Sequence, residues 1–332
     1  MTLSPEQTQW FSTTFNQLVA NVEQAVVGKT RVVQLAFTCL VAEGHLLLED
    51  FPGTGKTSLA RAMAQTLQGE QHRIQFTPDL LPSDVTGVTI FDQASQRFEF
   101  RRGPVFANVV LADEINRASP KTQSALLEVM EENQVTVDGV THKVGRPFMV
   151  IATMNPIEQA GTYKLPEAQL DRFQMKTSLG YPDHASAVDI LANPQRGRHG
   201  WGVESIITPE HVVSMIELAE RVHVDGAILE YVATICEETR NATDVVLGCS
   251  VRAGLALVRA ARVWAAASGR NYVLPDDIKA LAVPVLAHRM VLDPEEEFRG
   301  LTSEKVINRI LDASPAPQER SEQAAVEENA SA

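Results

Sequence analysis

The stretch best equipped for chemistry is Pro52-Gly53-Thr54-Gly55-Lys56-Thr57-Ser58, which follows closely on the apolar run Leu46-Leu47-Leu48. Glycines let successive backbone N–H groups turn inward around an anion, and a helix opening at the same point adds its positive end. In such a loop Lys56 reaches the β- and γ-phosphates of a nucleotide, and Thr57 holds Mg²⁺. The strict phosphate-loop pattern asks for glycine where this chain has Asp50. A glycine-rich turn with an incidental lysine is the bland alternative. The position between an apolar run and a helical pattern favours phosphate.

A second constellation is Val109-Val110-Leu111-Ala112-Asp113-Glu114. A buried strand that ends on two carboxylates is unfavourable unless something cationic lies beside them. Asp113 suits a Mg²⁺-linked water, and Glu114 suits polarising an attacking water. The alternative is a strand running into a solvated acidic loop. Thr153-Met154-Asn155-Pro156 ends another apolar run. Asn155 could hold the attacking water or a γ-phosphate, although an Asn-Pro pair also simply makes turns.

The elements that must position these residues follow from periodicity. Ser4-Pro5-Glu6-Gln7 reads as a capped helix start, with the helix running to about Val27-Gly28. A second helix spans about Arg31 to Glu43, and another runs from Lys56 to Leu67 with Leu59, Met63 and Leu67 on one face. Buried strands are expected at His45 to Glu49, Ile74 to Thr77, Val109 to Asp113, Phe148 to Thr153 and Phe173 to Thr177. Two hairpins are expected. One has Val88 and Ile90 on one arm and Phe98 and Phe100 on the other; the second turns at Asp138-Gly139. Beyond Tyr181-Pro182-Asp183 the pattern is nearly all helical, with starts at Thr208-Pro209, Ser250 and Pro275 and a break or kink at Pro284. The fold class is therefore α/β, a P-loop NTPase core with a parallel sheet and hairpin inserts, followed by an all-helical lid. The expected divisions are 1–183 for the nucleotide-binding core, 184–312 for the lid and 313–332 for a disordered acidic tail.

With these motifs in place, the chain resembles AAA+ ATPases, and more closely the MoxR family. The resemblance is carried by Phe76-Thr77-Pro78-Asp79-Leu80-Leu81-Pro82-Ser83-Asp84, by Gly103-Pro104-Val105-Phe106 and by Asp113-Glu114-Ile115-Asn116-Arg117-Ala118. It continues in Lys121-Thr122-Gln123-Ser124-Ala125-Leu126-Leu127-Glu128 with Met130-Glu131-Glu132, and in Leu165-Pro166-Glu167-Ala168-Gln169-Leu170-Asp171-Arg172-Phe173. It covers about Val26 to Leu292. Many MoxR-like sequences also carry a residue other than glycine at the position of Asp50. By this resemblance Asn155 matches the first sensor, and Arg172 the arginine finger that reaches a neighbouring subunit's γ-phosphate. Arg252 matches the second sensor in the lid, and Val27-Gly28 the stretch lining the adenine. The hairpins match the inserts that project toward the central pore in related machines. Read from the residues alone, Arg172 could equally pair with Asp171 at the surface, and Arg252 could be a solvated helix start. Arg117 could face the subunit boundary.

The resemblance implies ATP and Mg²⁺ as cofactors, the nucleotide lying between core and lid. It also implies a homo-oligomeric, hexameric ring, a protein client and a von Willebrand factor A partner. Chaperone-like remodelling, complex assembly or metal-cofactor maturation is the expected work. A magnesium-chelatase-like or nucleic-acid motor of the same clade, or a small-molecule kinase, are the alternatives. Composition narrows these. The formal charge of -13, from 29 Lys+Arg against 42 Asp+Glu, disfavours nucleic acid. Cys39, Cys236 and Cys249 have no metal-ligand or disulfide spacing, which fits a reducing cytoplasm. No signal peptide or membrane span is evident. His184, His199 and His223 read as surface or lid histidines, and Glu131-Glu132 and Glu295-Glu296-Glu297 as solvated acidic turns.

Overall fold

The computed structural model describes residues 3–51, 53–155, 162–193 and 202–317. Pro52, Pro156, His199 and residues 318–332 lie outside these, so the tail beyond 317 is not assigned a structure.

The chain opens with the capping box expected of Ser4 and Gln7. Gln7 N–H donates to Ser4 Oγ (3.2 Å) and Ser4 N–H donates to Gln7 Oε1 (3.1 Å). The helix that follows is Pro5–Glu23, shorter than its apolar pattern implied. Helices Thr30–Val41 and Lys56–Thr66 flank strand Leu46–Glu49.

Five parallel strands form the central sheet, in the order Gln71–Gln75, Val109–Asp113, Met149–Met154, Leu46–Glu49, Met175–Thr177. The first strand in the chain thus lies between the fourth and the fifth. Chain direction across the sheet reverses there, and in open parallel sheets ligands bind at the carboxyl ends of strands beside such a reversal. Val109–Asp113 is buried at every residue, because parallel strands carry helices on both faces. Alternation along the strands divides the core. Leu46, Leu48, Leu111 and Ile151 join one apolar cluster, whereas Leu47, Val110, Ala112 and Val150 join the other with Ile115, Leu126 and Leu127. The first cluster runs without a break into lid helices Pro209–Glu220, Gly226–Asn241, Val251–Ala267, Pro275–Leu286 and Ser303–Ala313.

Both hairpins form. Gly87–Asp92 pairs with Arg97–Arg102, and Gln134–Val137 pairs with Val140–Lys143. Asp138 and Gly139 adopt φ of +50° and +78°, the mirror-image turn that suits a twisted two-stranded ribbon. The hairpins touch: the Phe100 and His142 rings stack at 4.0 Å.

Several expectations are corrected. The strand expected at Ile74 to Thr77 is Gln71–Gln75, an edge strand whose exposed polar residues hide its pattern. A short helix, Pro82–Thr86, precedes the first hairpin. The lid also contains an antiparallel strand pair, Val245–Leu247 with Val291–Leu292, too short for sequence periodicity to register. Pro284 stands in the last turn of its helix, which ends at Leu286 before the 3₁₀ turn Ala287–Arg289, close to where a break or kink was expected. Pro284 cannot bond the carbonyl four residues back, that of Ala280. The Arg31 guanidinium takes that carbonyl at 2.6 Å.

Candidate functional site

The phosphate loop begins at the carboxyl end of strand Leu46–Glu49. Gly53 and Gly55 hold φ of +82° and +99°, a region that side-chain-bearing residues rarely adopt. Gly55 is the residue before helix Lys56–Thr66, and no side chain caps that helix. By contrast, helices starting after Ser119, Asp183, Asp225 and Ser250 are each capped by the side chain at that position. The uncapped amides of Lys56–Thr66 and the two turned glycines form a cradle suited to an anion. Thr57 and Ser58 lie in the first turn. Lys56 Nζ lies across the loop, donating to the carbonyls of Asp50 (3.2 Å) and Phe51 (3.0 Å). Val26 sits beside the loop, its Cγ1 3.9 Å from the position of a Cβ on Gly55. Gly28 holds φ +73° against helix His184–Ala192, where a Cβ would lie 2.4 Å from Ser186 Oγ. Val27-Gly28 therefore lie between the loop and the start of the lid.

Asp50 explains the departure from the strict pattern. It is buried, and its carboxylate accepts hydrogen bonds from the backbone amides of Leu179 and, at 3.1 Å, Gly180. The next ring, Phe51, stacks on Tyr181 at 5.8 Å, and Lys29 Nζ donates to the Tyr181 carbonyl at 2.8 Å. A glycine could make neither side-chain contact. The residue thus ties the phosphate loop to the turn entering the lid. Asp50→Ala leaves two amides without this acceptor. It should lower unfolding free energy by about 1.5–3 kcal/mol, the usual range for hydrogen bonds to a charged group. Urea denaturation reads this directly, and an unchanged midpoint would count against the staple.

The acidic pair sits two strands away, beyond strand Met149–Met154. Thr153 is the hub: its hydroxyl donates to Asp113 Oδ1 (2.6 Å) and accepts from the Glu114 amide (2.9 Å). Asp113 Oδ2 pairs with Arg73 at 2.6 Å. Glu114 follows directly at the end of the strand and adopts φ +58°, which breaks strand alternation there. Glu114 Oε2 accepts from Gln75 Nε2 (2.8 Å) and pairs with Arg117 at 3.2 Å. Gln123 braces the following turn, its amide donating to the carbonyls of Ile115 (3.3 Å) and Ala118 (3.1 Å). Asn155 is buried directly after strand Met149–Met154. Lys56, Asp113, Glu114 and Asn155 thus gather at the carboxyl ends of three adjacent strands. The cation anticipated beside the carboxylates is supplied, within the chain, by Arg73 and Arg117. Arg117 therefore turns toward Glu114. No group of three or more His, Cys, Asp or Glu that could hold a metal occurs among the described residues. That is compatible with nucleotide-linked Mg²⁺, which takes one or two protein ligands and fills its shell with phosphates and waters. Thr57 and Asp113 are the residues that could serve it.

The arginines are elsewhere. Arg172 pairs with Glu131 at 3.1 Å, and Arg252 pairs with the same carboxylate at 3.3 Å and with Asp171 at 3.8 Å. Glu131, exposed at the end of helix Pro120–Glu132, is therefore a shared counter-ion, and among the described residues Arg172 pairs with it and not with Asp171. These residues surround a cavity of about 380 Å³ that also takes in Arg259 and Arg289. The loop bearing Arg172 enters strand Met175–Thr177 at its amino end, where Gln174 N–H donates to the His45 carbonyl at 2.8 Å. The phosphate loop leaves strand Leu46–Glu49 at the opposite end, on the order of 10 Å away by strand rise alone. Arg252, expected as the second sensor, lies with Arg172 at this opposite end of the sheet and not beside Lys56. The lid face bearing Arg252 opens on the arginine cluster.

Sequence reading missed Arg73, Gln75, Thr153 and Arg289. Gln75 had a weak signal, because parallel register sets it level with Asp113. The others depend on side-chain reach. His184 and His223 are exposed, as read. No helix among the described residues is long and apolar enough to cross a membrane.

Comparison with known proteins agrees with this geometry. Residues 45–175 match the model of the ATPase family associated with various cellular activities (AAA), and residues 237–310 match the AAA lid domain. The chain is 47% identical over 303 residues to the uncharacterized protein YeaC of Bacillus subtilis, covering 91% of this chain and 95% of that one. It is 38% identical over 314 residues to chaperone MoxR1 of Mycobacterium tuberculosis, covering 92% and 83%. A Cytophaga hutchinsonii crystal structure, described as a "putative ATPase", superposes with a TM-score of 0.88 at 37% identity, covering 94% of this chain and 98% of that one. By these similarities and by its fold, the chain belongs to the MoxR family of AAA+ ATPases.

Proposed function

We propose that this chain hydrolyses ATP, taken as its Mg²⁺ complex, within a homo-oligomeric ring, and uses the cycle to remodel a client protein assembly. One observation carries the reading. The phosphate loop and the Arg172–Arg252 pair lie at opposite ends of one sheet, so a subunit can offer its cradle to one neighbour and its arginines to another. Residues 1–183 act as the nucleotide-binding unit and 184–312 as the lid.

Within the site, the amides of Gly53 to Ser58 and Lys56 hold the phosphates, and Val27-Gly28 flank the base. Thr57 and Asp113 hold Mg²⁺, which would neutralise charge developing on the phosphates. Glu114 orients and polarises the attacking water, and Asn155 fixes it from the next strand. Arg172 and Arg252 of an adjoining subunit stabilise the transferring phosphoryl group. The Phe91 and Phe98 rings meet at 5.3 Å on an exposed hairpin and offer an apolar tip for a protein client.

Because the site needs two subunits, ATPase activity per subunit should rise steeply with protein concentration as rings assemble. Steady-state phosphate release across a dilution series, with mass measured in parallel, reads this. Constant specific activity in a strictly monomeric sample would overturn the proposal.

A further inference from the structure

We propose that the lid positions the arginine finger of its own subunit through Arg289, with His288 beside it. This rests on Arg172 acting in trans, as proposed above. The residues on either side of Arg172 are held by the lid. Arg289 ends the 3₁₀ turn that follows helix Pro275–Leu286. Its NH2 donates to the Phe173 carbonyl at 2.6 Å, and its NH1 lies 3.5 Å from Asp171 Oδ1. His288 Nε2 donates to the same carbonyl at 3.0 Å. Burial keeps this imidazole neutral, with its pKa lowered to about 3, and the same Nε2 lies 3.4 Å from Arg289 Nε, so the ring packs between Arg289 and the Phe173 carbonyl. Gln174 Nε2 then donates to the Ala256 carbonyl, at 2.7 Å, on the lid helix that also bears Arg252. Asp171, Phe173 and Gln174 are thus tied to the lid, and Arg172 between them projects to Glu131, partly exposed.

A filler role for Arg289 fits these facts poorly. Its side chain is only 4% exposed, and burying a guanidinium against a carbonyl and a long ion pair is unfavourable. A methionine would fill the space without that desolvation. The arrangement makes sense as a linkage: a change in lid angle moves Phe173 and Asp171, and with them the finger offered to the neighbour. Arg289 acts through Arg172 and is a positioning residue.

Arg289→Met tests this. Asp171 keeps Arg252 and Phe173 keeps His288, so the fold and affinity for a fluorescent ADP analogue should be preserved. kcat should fall by about 100-fold with KM for ATP little changed, as expected when a reacting group is displaced by roughly 1 Å. Mixing with Lys56→Ala, which has a dead site but an intact finger, should restore turnover at the Arg289→Met sites. Arg172→Ala mixed with Lys56→Ala is the control. If that pair is not rescued, the in-trans reading itself fails. If it is rescued, parental turnover by Arg289→Met alone, or failure of its own rescue, overturns the positioning role. Should Arg289→Met not assemble, Arg289→Lys keeps the charge but reaches fewer partners. It should show a smaller loss, also in kcat, and parental kcat would overturn the proposal.

Discussion

Arg172→Ala should lower ATP turnover by about 10³- to 10⁵-fold, the range an arginine supplied to a transferring phosphoryl group is worth. Nucleotide affinity stays near the parental value, because the cradle around Lys56 is at the far end of the sheet from residue 172. Three features make the effect large and specific. Among the described residues Arg172 pairs with the Glu131 carboxylate, and it remains partly exposed, so it can exchange that partner for a phosphate. A planar guanidinium matches phosphoryl oxygens with two donors at once. The loop carrying it is fixed by the lid, so little ordering is left to do on arrival. Paired measurements check the expectation: steady-state phosphate release for turnover, and titration with a fluorescent ADP analogue for binding. Turnover within a few-fold of parental would remove Arg172 from the finger role. A parallel loss of binding would show that the mutation had damaged the fold.

Glu114→Gln should lower hydrolysis by about 10²- to 10⁴-fold, the usual worth of a positioned general base, and leave ATP trapped. The substitution keeps shape. A glutamine carbonyl can still accept from Gln75 and Arg117, and the backbone bond from Glu114 N–H to Thr153 does not involve the side chain. What is lost is the negative charge that polarises water. Rapid filtration after loading with labelled ATP should recover uncleaved triphosphate; recovery of diphosphate at the parental rate would sink the role. The trapped form is also the reagent for capture. A client, or a von Willebrand factor A partner, should be retained with ATP and released with ADP.

How much of this was legible beforehand depends on the range of each interaction. The capping box at Ser4, the glycine loop, the Asp138-Gly139 hairpin and the apolar strands were read because their determinants lie within a few residues of one another. Edge strand Gln71–Gln75 was misplaced because its burial comes from one side only. The Arg31 bond to the carbonyl that Pro284 leaves free was not read, because Arg31 lies far away in the chain. The partners of Glu131 went unread because nothing nearby in sequence announced two arginines arriving from residues 172 and 252.

The sequence by itself determined the local chemistry: amides turned by Gly53 and Gly55 around a phosphate, Lys56 behind them, and Asp113-Glu114 ending a buried strand. Backbone conformation and hydrophobic period are short-range properties, and they are written in neighbouring residues. Only the tertiary structure decided which groups share a site. It joined Asp50 to the lid entry, set Arg73 and Gln75 beside the acidic pair, and gathered Arg172, Arg252 and Arg289 at the opposite end of the sheet. Those choices depend on strand order and side-chain reach, which are fixed only once the whole core has packed.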